Sequence, residues 1–250
     1  MLFEKSTFLG IDPTAGERPF VYAALDGELQ LLALGQGGME DILAFAAGQQ
    51  QAVAAVCAPR QPNTGVMARP EVRQNLNPPP KPGRWRDFRL ADFMLRQRGI
   101  SIPQTPAEAA KCSNWMRNGF ELHRRLEALD YKRYPSEEAV CPVMEVYPFA
   151  CYVTLLGGIS PFPKGTLEGR VQRQLVLYEA RLDVSDPMEF FEEITRHRLL
   201  KGQLPDQSLY SAGELDALVA AYTAWLAAFH PERVEVLGNR DEGEVVVPVK

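Results

Sequence analysis

Runs of apolar and polar residues in the first part of the chain predict a strand, a hairpin, a helix and another strand. Ser6–Ile11 is apolar and β-branched, so it predicts a buried strand that ends at Asp12. Asp26-Gly27 separates the next two strand-like runs, and this dipeptide is typical of a hairpin turn. The strand predicted at Val53–Val56 lacks polar alternation, as expected where both faces of a sheet are covered. The other predicted elements here are the strands Phe20–Leu25 and Glu28–Leu34, the helix Met39–Ala47 and the strand Val53–Val56.

Helical spacing dominates the second half of the chain. Ala212–Phe229 is the clearest helix, because its large apolar residues follow the 3.6-residue period and its alanines are small enough to let a sheet approach closely. The strand Pro142–Tyr147 places Val143, Glu145 and Tyr147 on one face. The other predicted elements are helices at Asp87–Arg98, Ser113–Leu129, Phe149–Leu156, Leu167–Leu182 and Pro187–Leu200, and strands at Arg233–Leu237 and Glu244–Val249, the last a candidate edge strand.

Composition is that of an ordinary globular protein. The 250 residues carry a formal charge of −5, and 46% of them are apolar and 24% charged. This length predicts one domain, spanning 1–250, with an insertion at about 60–100. The longest nearly apolar stretch, Leu218–Phe229, is too short to cross a bilayer, and the N-terminus lacks the pattern of a secretory signal. We therefore expect a cytoplasmic protein without a membrane partner.

Cysteine and histidine spacing gives little support to a metal or triad site built on these residues. Cys57, Cys112, Cys141 and Cys151 form no C-x-x-C pair, and they are expected to be free thiols. The three histidines lie far apart in sequence and in different helical patterns.

Proline and positive charge are concentrated in one segment. Nine of the 20 prolines lie between Pro59 and Pro106, and residues 60–98 hold nine Lys or Arg residues against three acids. One interpretation is a flap that binds a polyanion, with Arg84, Arg86 and Arg89 on phosphates and Trp85 or Phe88 stacking on bases. The other interpretation is a solvated surface insertion.

Three carboxylates occupy unusual places in the predicted elements. Asp12 ends the first strand, Glu145 lies in an otherwise apolar strand, and Asp216 lies in the first turns of the clearest helix. An acid in apolar surroundings is costly unless it is paired or binds a cation. If the three converge, they form the oxygen-ligand site that Mg²⁺ prefers, and two ions about 4 Å apart would suit phosphodiester hydrolysis. Each acid also has a structural interpretation, such as a helix-dipole contact for Asp216 or a turn acid for Asp12.

Several motifs resemble one known family. They are Phe8-Leu-Gly-Ile-Asp12, Val53-Ala-Ala-Val-Cys-Ala-Pro59, Met144-Glu-Val-Tyr-Pro148, Leu215-Asp-Ala-Leu-Val-Ala-Ala-Tyr-Thr-Ala224 and Leu237-Gly-Asn-Arg-Asp-Glu-Gly-Glu-Val-Val-Val-Pro248. Together they resemble the domain of unknown function 429 family, predicted nucleases of the ribonuclease H-like superfamily. The resemblance implies an α/β fold, with a mixed central sheet opened by a hairpin and helices on both faces. It also implies that Asp12, Glu145 and Asp216 are catalytic, metal-binding positions for Mg²⁺ or Mn²⁺.

The chain departs from the family pattern at one position of interest. After the fourth strand the family usually reads Ile-Asp-Ala-Pro, whereas this chain reads Val56-Cys57-Ala58-Pro59. A thiol therefore replaces a carboxylate where a metal ligand is expected, and sulfur is a poor ligand for Mg²⁺. This loss weakens the prediction of two-metal catalysis but leaves the predicted fold unchanged.

Three functions remain open from the sequence. The first is a metal-dependent nuclease that uses the three acids on a nucleic acid substrate. The second is a catalytically weakened relative that binds nucleic acid or protein, which Cys57 favours. The third is a small kinase of the actin-like superfamily, because such kinases also begin a phosphate loop with Gly-x-Asp, as in Gly10-Ile-Asp12. The second phosphate-binding turn of such kinases has one candidate, Asp241-Glu-Gly243, nearly at the chain end.

Overall fold

A mixed sheet of eight strands runs through the centre of the computed structural model, which describes residues 6–15, 18–80, 85, 87–136 and 138–249. The strands are β1 Thr7–Asp12, β2 Phe20–Leu25, β3 Leu31–Gly37, β4 Ala52–Val56, β5 Lys132–Arg133, β6 Pro142–Val146, β7 Val234–Asn239 and β8 Gly243–Pro248. The strand order is β3-β2-β1-β4-β6-β8-β7, and β5 pairs with β6. The pairs β1–β4, β4–β6, β5–β6 and β6–β8 are parallel, whereas β1–β2, β2–β3 and β7–β8 are antiparallel.

Helices cover both faces of this sheet. One face packs on the helix α9 (Ala212–Phe229), and strand residues such as Phe8 and Ala55 share an apolar cluster with it. The other face packs on α1 (Met39–Ala47) and α4 (Asn114–Ala128), where Leu9, Ala54 and Leu122 belong to a second apolar cluster. The helices are α1 Met39–Ala47, α2 Pro70–Gln74, α3 Leu90–Gln97, α4 Asn114–Ala128, α5 Pro148–Leu155, α6 Leu167–Glu179, α7 Glu189–Glu193, α8 Arg196–Leu200 and α9 Ala212–Phe229. The predicted α/β fold is confirmed, and it is consistent with a ribonuclease H-like fold.

Close approach of α9 to β1 explains a glycine in the first motif. A Cβ atom added to Gly10 would lie only 1.9 Å from the carbonyl oxygen of Ala217 and 2.5 Å from the backbone nitrogen of Ala221. Any larger residue at position 10 would push the helix away from the strand. The small residues of α9 therefore meet the one position of β1 that has no side chain, as the helix pattern predicts. This contact also fixes the distance between the end of β1 and the first turns of α9.

Most predicted elements are confirmed, with α1 and α9 at the predicted bounds, and the exceptions have local causes. The second hairpin strand begins at Leu31 because Asp26 Oδ1 accepts hydrogen bonds from the backbone amides of Glu28 and Gln30, which extends the turn. The helix predicted over Pro187–Leu200 is two helices, since the Thr195 side chain caps a new helix start. The prediction of an edge position for the last strand is wrong, because β8 lies between β6 and β7.

The described part of the basic segment 60–98 is folded against the sheet. Glu242 is fully buried in the turn between β7 and β8, and its carboxylate accepts hydrogen bonds from the backbone amides of Thr64, Val66 and Leu90. These bonds join both ends of the segment to one buried acid. The segment is therefore anchored at both ends rather than hanging freely in solvent.

Within the described residues, no helix combines the length and the apolar character that a membrane span requires.

Candidate active site

A cleft of about 1010 Å³ opens at the carboxyl ends of β1 and β4, beside the first turn of α9. The carboxyl ends of neighbouring parallel strands are the usual place for a ligand in α/β sheets. The floor of the cleft is charged, and its walls are largely aromatic and apolar. Residues that line it and bear on its chemistry are Asp12, Cys57, Trp115, Tyr147, Phe149, Phe162, Lys164, Arg173, Gly213 and Asp216.

Two acids, Asp12 and Asp216, lie together on the floor of the cleft. A Cβ atom added to Gly213 would lie 3.8 Å from Asp12 Oδ2, so the Asp12 carboxylate is beside the first turn of α9. Burial raises the pKa of Asp12 to about 7, and the charge of Asp216 adds to this rise while Lys164 opposes it. Burial also raises the pKa of Asp216, although Lys164 and Arg173 lower it in part. Both carboxylates are therefore held in surroundings that disfavour their charged forms.

Lys164 provides the positive charge closest to this pair. Its Nζ atom donates a hydrogen bond of 2.5 Å to Asp216 Oδ2, with the lysine side chain 58% exposed and the aspartate side chain 8% exposed. Burial lowers the pKa of Lys164, but the charge of Asp216 and the hydrogen bond outweigh this and raise it overall. The ammonium group thus stands beside one carboxylate of the pair and reaches it from the solvent side.

Arg173 holds the loop that carries Lys164. Its Nη1 atom donates to the carbonyl oxygens of Phe162, at 2.7 Å, and Gly169, at 3.0 Å. The loop packs closely on α6, since a Cβ atom added to Gly169 would lie 2.0 Å from the carbonyl oxygen of Pro163. The position of the lysine is therefore set by backbone contacts of the loop and not by its own side chain alone.

Cys57 lies next to the acid pair on the same face of the sheet. Its backbone amide donates to the carbonyl of Ile11 at 2.8 Å, which sets it beside Asp12, and its Sγ atom lies 3.5 Å from the carbonyl oxygen of Asp216. Burial raises the pKa of the Cys57 thiol well above its usual range, and the charges of Asp12 and Asp216 raise it further. The thiol is therefore neutral, and it adds no negative charge to the site.

Glu145 does not join the acid pair, so the expected convergence of three acids does not occur. In the sheet Glu145 is paired with Val56, and neighbouring residues of paired strands share a face. Cys57 is the next residue after Val56 and therefore points to the other face, the one covered by α9. Alternation had already placed Glu145 with Val143 on one face. This alternation shows that Glu145 and Cys57 lie on opposite faces of the sheet only when it is combined with the register between β4 and β6.

Glu145 is instead bound to Arg89, which corrects a second prediction. The Arg89 side chain is 1% exposed and donates to both oxygens of Glu145 and to Asp92 Oδ1. Burial lowers the pKa of Arg89, but the charges of Glu145 and Asp92 and their hydrogen bonds raise it overall. The prediction that Arg89 contacts nucleic acid phosphates is wrong in this structure, because its guanidinium is enclosed by two acids.

The rest of the predicted nucleic-acid surface is only partly described. Arg84 and Arg86 lie outside the described residues. Trp85 packs its ring 5.1 Å from that of Phe88 and 5.4 Å from that of Phe93, measured between ring centroids. Trp85 thus contributes to a small apolar cluster of the insertion and does not line the cleft.

Lys164 and Arg173 are the site residues that sequence reasoning missed. Arg173 carried a weak signal, because it lies four residues after Gly169 and four before Leu177, on the buried face of α6. An arginine on such a face requires partners. Lys164 carried no comparable signal, since it lies in a loop between two helices and only the folded chain brings it to Asp216.

The described residues do not contain a cluster of three or more metal-ligating side chains. No group of three or more His, Cys, Asp or Glu side chains in them is placed to hold a metal ion. The site offers two carboxylates and one neutral thiol, and three cationic side chains, Arg18, Lys164 and Arg173, also line the cleft.

These observations define a mixed α/β protein, consistent with a ribonuclease H-like fold, that has a cleft with two buried carboxylates at the ends of its central parallel strands. The family model described as "Protein of unknown function (DUF429)" matches residues 10–243, and the chain belongs to this family. Comparison with curated proteins gives no match, and comparison with solved structures gives none either.

Proposed function

We propose that this protein is a metal-dependent nuclease, in which Asp12 and Asp216 hold Mg²⁺ or Mn²⁺ and the substrate is a phosphodiester. The observation that carries the proposal is the pair of desolvated carboxylates on the floor of a large cleft, both with a raised pKa. Such a pair is costly as two bare charges, and a divalent cation would remove that cost. Groups tuned in this way also occur preferentially at functional sites.

The donor set fits one ion rather than two. Magnesium is commonly bound by one or two carboxylates and completes its octahedral shell with waters and substrate phosphate oxygens. Asp12 and Asp216 would supply these two carboxylates. Glu145 is committed to Arg89 on the other face, and the Cys57 thiol is a poor ligand for a hard ion. The proposal is therefore narrower than the two-metal site expected from the sequence.

Each residue of the floor would have a distinct role. A bound ion would supply Lewis acidity toward a phosphoryl oxygen and a more acidic water. Lys164 and Arg173 would offset the charge of the phosphate, since both side chains line the cleft beside Asp216. The apolar walls would exclude water around these charges and so strengthen their interactions. Without a cation, Lys164 neutralises Asp216.

A second function, a non-catalytic binding protein, is favoured by two observations. A neutral thiol stands where the family pattern has a carboxylate, and Lys164 already pairs with one of the two remaining acids. A lysine beside the acids lowers the need for a metal ion. The kinase alternative has less support, because Gly10 serves the contact with α9 and Glu242 of the Asp-x-Gly turn anchors the basic segment.

The test measures thermal unfolding and cleavage as Mn²⁺ and Mg²⁺ are titrated. We expect millimolar Mn²⁺ to raise the melting temperature by mass action, and Asp12→Asn or Asp216→Asn to remove most of that rise. Cleavage of single- and double-stranded DNA and RNA should require the metal and be lost in both variants. Glu28→Gln, which removes one negative charge from an exposed turn, is the matched control. A melting temperature indifferent to Mn²⁺, with no cleavage of any substrate, would favour the binding-protein function.

A further inference from the structure

The walls of the cleft carry an arrangement that the acid pair alone does not explain. Four aromatic residues, Trp115, Tyr147, Phe149 and Phe162, line the same cleft as the charged floor. Phe162 is 55% exposed, although a large apolar side chain gains by burial. Tyr147 is held in place because its hydroxyl donates to the carbonyl of Ser101 at 3.2 Å. Aromatic rings at an open cleft are suitable surfaces for stacking a flat, apolar-faced ligand.

A buried cation that lines the same cleft has one buried donor atom without a partner. Arg173 is 2% exposed, its Nε atom has no hydrogen-bond partner, and among the described residues no carboxylate forms an ion pair with it. Its guanidinium carbon lies 5.3 Å from the centroid of the Tyr152 ring. Burial lowers the pKa of Arg173, and the charge of Asp216 only partly opposes this. A buried, incompletely compensated guanidinium is matched by an anionic ligand, above all by a phosphate.

The positions of the charges restrict where an anion can bind. Asp12 and Asp216 repel a phosphate, so without a metal ion it is drawn toward the cations that line the cleft, which are Lys164 and Arg173 beside Asp216 and the exposed Arg18. The N-terminus of α9, with Ala212 and Gly213, lines the cleft as well and adds the favourable end of a helix dipole. The chain carries a net charge of −5, so an anion would be held here by these local charges and not by a general attraction for polyanions.

We infer that the cleft takes an unpaired nucleic acid strand, with a phosphate at Lys164 and Arg173 and bases stacked on the aromatic side chains Trp115 and Phe162, which both line the cleft. The choice of a phosphate-bearing ligand rests on the proposed function. A cavity of about 1010 Å³ matches the upper end of the range for small-molecule sites and encloses one or two nucleotides. A base paired inside a duplex cannot reach an aromatic wall unless it leaves the stack, which costs a few kcal/mol.

The experiment measures how two labelled probes and one competitor bind to the unmodified protein in EDTA, where metal-dependent cleavage does not occur. Fluorescence anisotropy follows a labelled oligothymidylate and a labelled hairpin duplex with the same number of phosphates, and thymidine monophosphate competes with each. We expect the single strand to bind at least tenfold more tightly than the duplex and the monophosphate to compete weakly. Lys164→Ala should reduce by about one the slope of log affinity against log salt concentration.

Variants of the wall separate stacking from simple charge attraction. Phe162→Ala is the main variant, since an exposed side chain is removed without opening the core, and Trp115→Ala is the second. We expect each to weaken single-strand binding about 5- to 150-fold, the usual range for loss of one base–aromatic stack. Phe191→Ala, an aromatic residue of α7 that is 50% exposed and does not line the cleft, should leave binding unchanged.

The outcomes distinguish failure of this inference from failure of the proposed nuclease function. Equal affinity for strand and duplex, or no effect of the two wall variants, overturns the inference of an unpaired strand. Tight competition by the monophosphate also overturns it and identifies a free nucleotide as the ligand. Single-strand binding in EDTA with no cleavage in Mn²⁺ leaves this inference standing and rejects the nuclease, whereas Mn²⁺-dependent cleavage restricted to duplexes does the reverse.

Discussion

Asp12 has an ionisation that depends strongly on the rest of the site. Burial and the nearby charge of Asp216 raise its pKa to about 7, against an ordinary value of 3.8. A carboxyl group whose pKa is raised on folding binds its proton more tightly in the folded state. Its contribution to stability is therefore present below about pH 4 and is lost as the pH rises toward 7. Replacing it with a neutral residue should show this loss directly.

Asp12→Asn should be more stable than the unmodified protein at pH 8 without metal, by at most about 4 kcal/mol, and the two should converge near pH 4. The measurement is urea unfolding of both proteins between pH 4 and 8 in EDTA. The comparison is needed because His123, with a pKa lowered to about 3 by burial and by the charge of Arg60, acts in the opposite direction. It is neutral when folded, so it removes stability as the pH falls below about 6.5, equally in both proteins.

A substitution of Cys57 tests whether position 57 is a vacant metal-ligand position. Cys57→Asp adds a carboxylate on the face that Asp12 and Asp216 share, so we expect it to be less stable than the unmodified protein in EDTA. In Mn²⁺ the variant should recover stability and cleave a phosphodiester faster than the unmodified protein. Cys57→Ser controls for loss of the thiol. If Cys57→Asp responds to Mn²⁺ no more than the serine variant does, position 57 is not a ligand position.

At the scale of elements, the contact between β1 and α9 sets the geometry of the floor. Asp12 is the last residue of β1 and Asp216 lies in the second turn of α9, so their separation depends on how closely the two elements pack. Gly10 permits that packing, because a Cβ atom there would overlap the backbone of Ala217. The motif Gly10-Ile-Asp12 thus combines a packing requirement with a chemical one, two residues apart on the same face.

Gly10→Ala should destabilise the protein by about 3 kcal/mol or more, since a backbone overlap cannot be relieved by rotating a side chain. It should also weaken any Mn²⁺-dependent rise in melting temperature by moving α9 away from Asp12. Gly165→Ala is the matched control, because a Cβ atom there meets nothing within 4 Å. Chemical denaturation with and without Mn²⁺ measures both effects. Equal stability of the two variants would contradict the packing argument.

At the scale of the whole molecule, buried charges join the basic segment to the sheet. Arg89 immediately precedes α3 and donates to Glu145 of β6, while Glu242 accepts hydrogen bonds from backbone amides near both ends of the segment. Breaking one partner of a buried ion pair leaves an uncompensated charge and typically costs about 3–5 kcal/mol. One interpretation of the sequence placed Arg89 on nucleic acid phosphates, whereas in the structure its charge holds the basic segment to the sheet.

Arg89→Ala should lower the free energy of unfolding by about 3–5 kcal/mol, because Glu145 and Asp92 lose their shared partner. Arg98→Ala removes an exposed ion pair with Glu235 in the same segment and should cost at most about 1 kcal/mol. Denaturant unfolding of the two variants at low and high salt measures the difference. A cost at position 89 no larger than at position 98 would mean that the buried pair is not a structural clamp.

Local chemistry determined much of this protein from the sequence alone. The period of Ala212–Phe229 and the Asp26-Gly27 turn predicted the main helix and the hairpin, because helix period and turn chemistry depend on residues close in sequence. Asp12 was correctly placed at a strand end. The set of small residues on α9 correctly indicated a close approach to the sheet.

Only the tertiary structure decided which of the candidate residues meet. Glu145 and Asp216 were equally plausible partners of Asp12 until the pairing of Val56 with Glu145 assigned Glu145 to the opposite face. Sequence alternation fixes faces within one strand, but the faces of two strands are compared only through their register. Lys164 reaches Asp216 across 52 residues of chain, and Arg89 reaches Glu145 across 56. Such pairings follow from the packing of the whole chain, which no local pattern encodes.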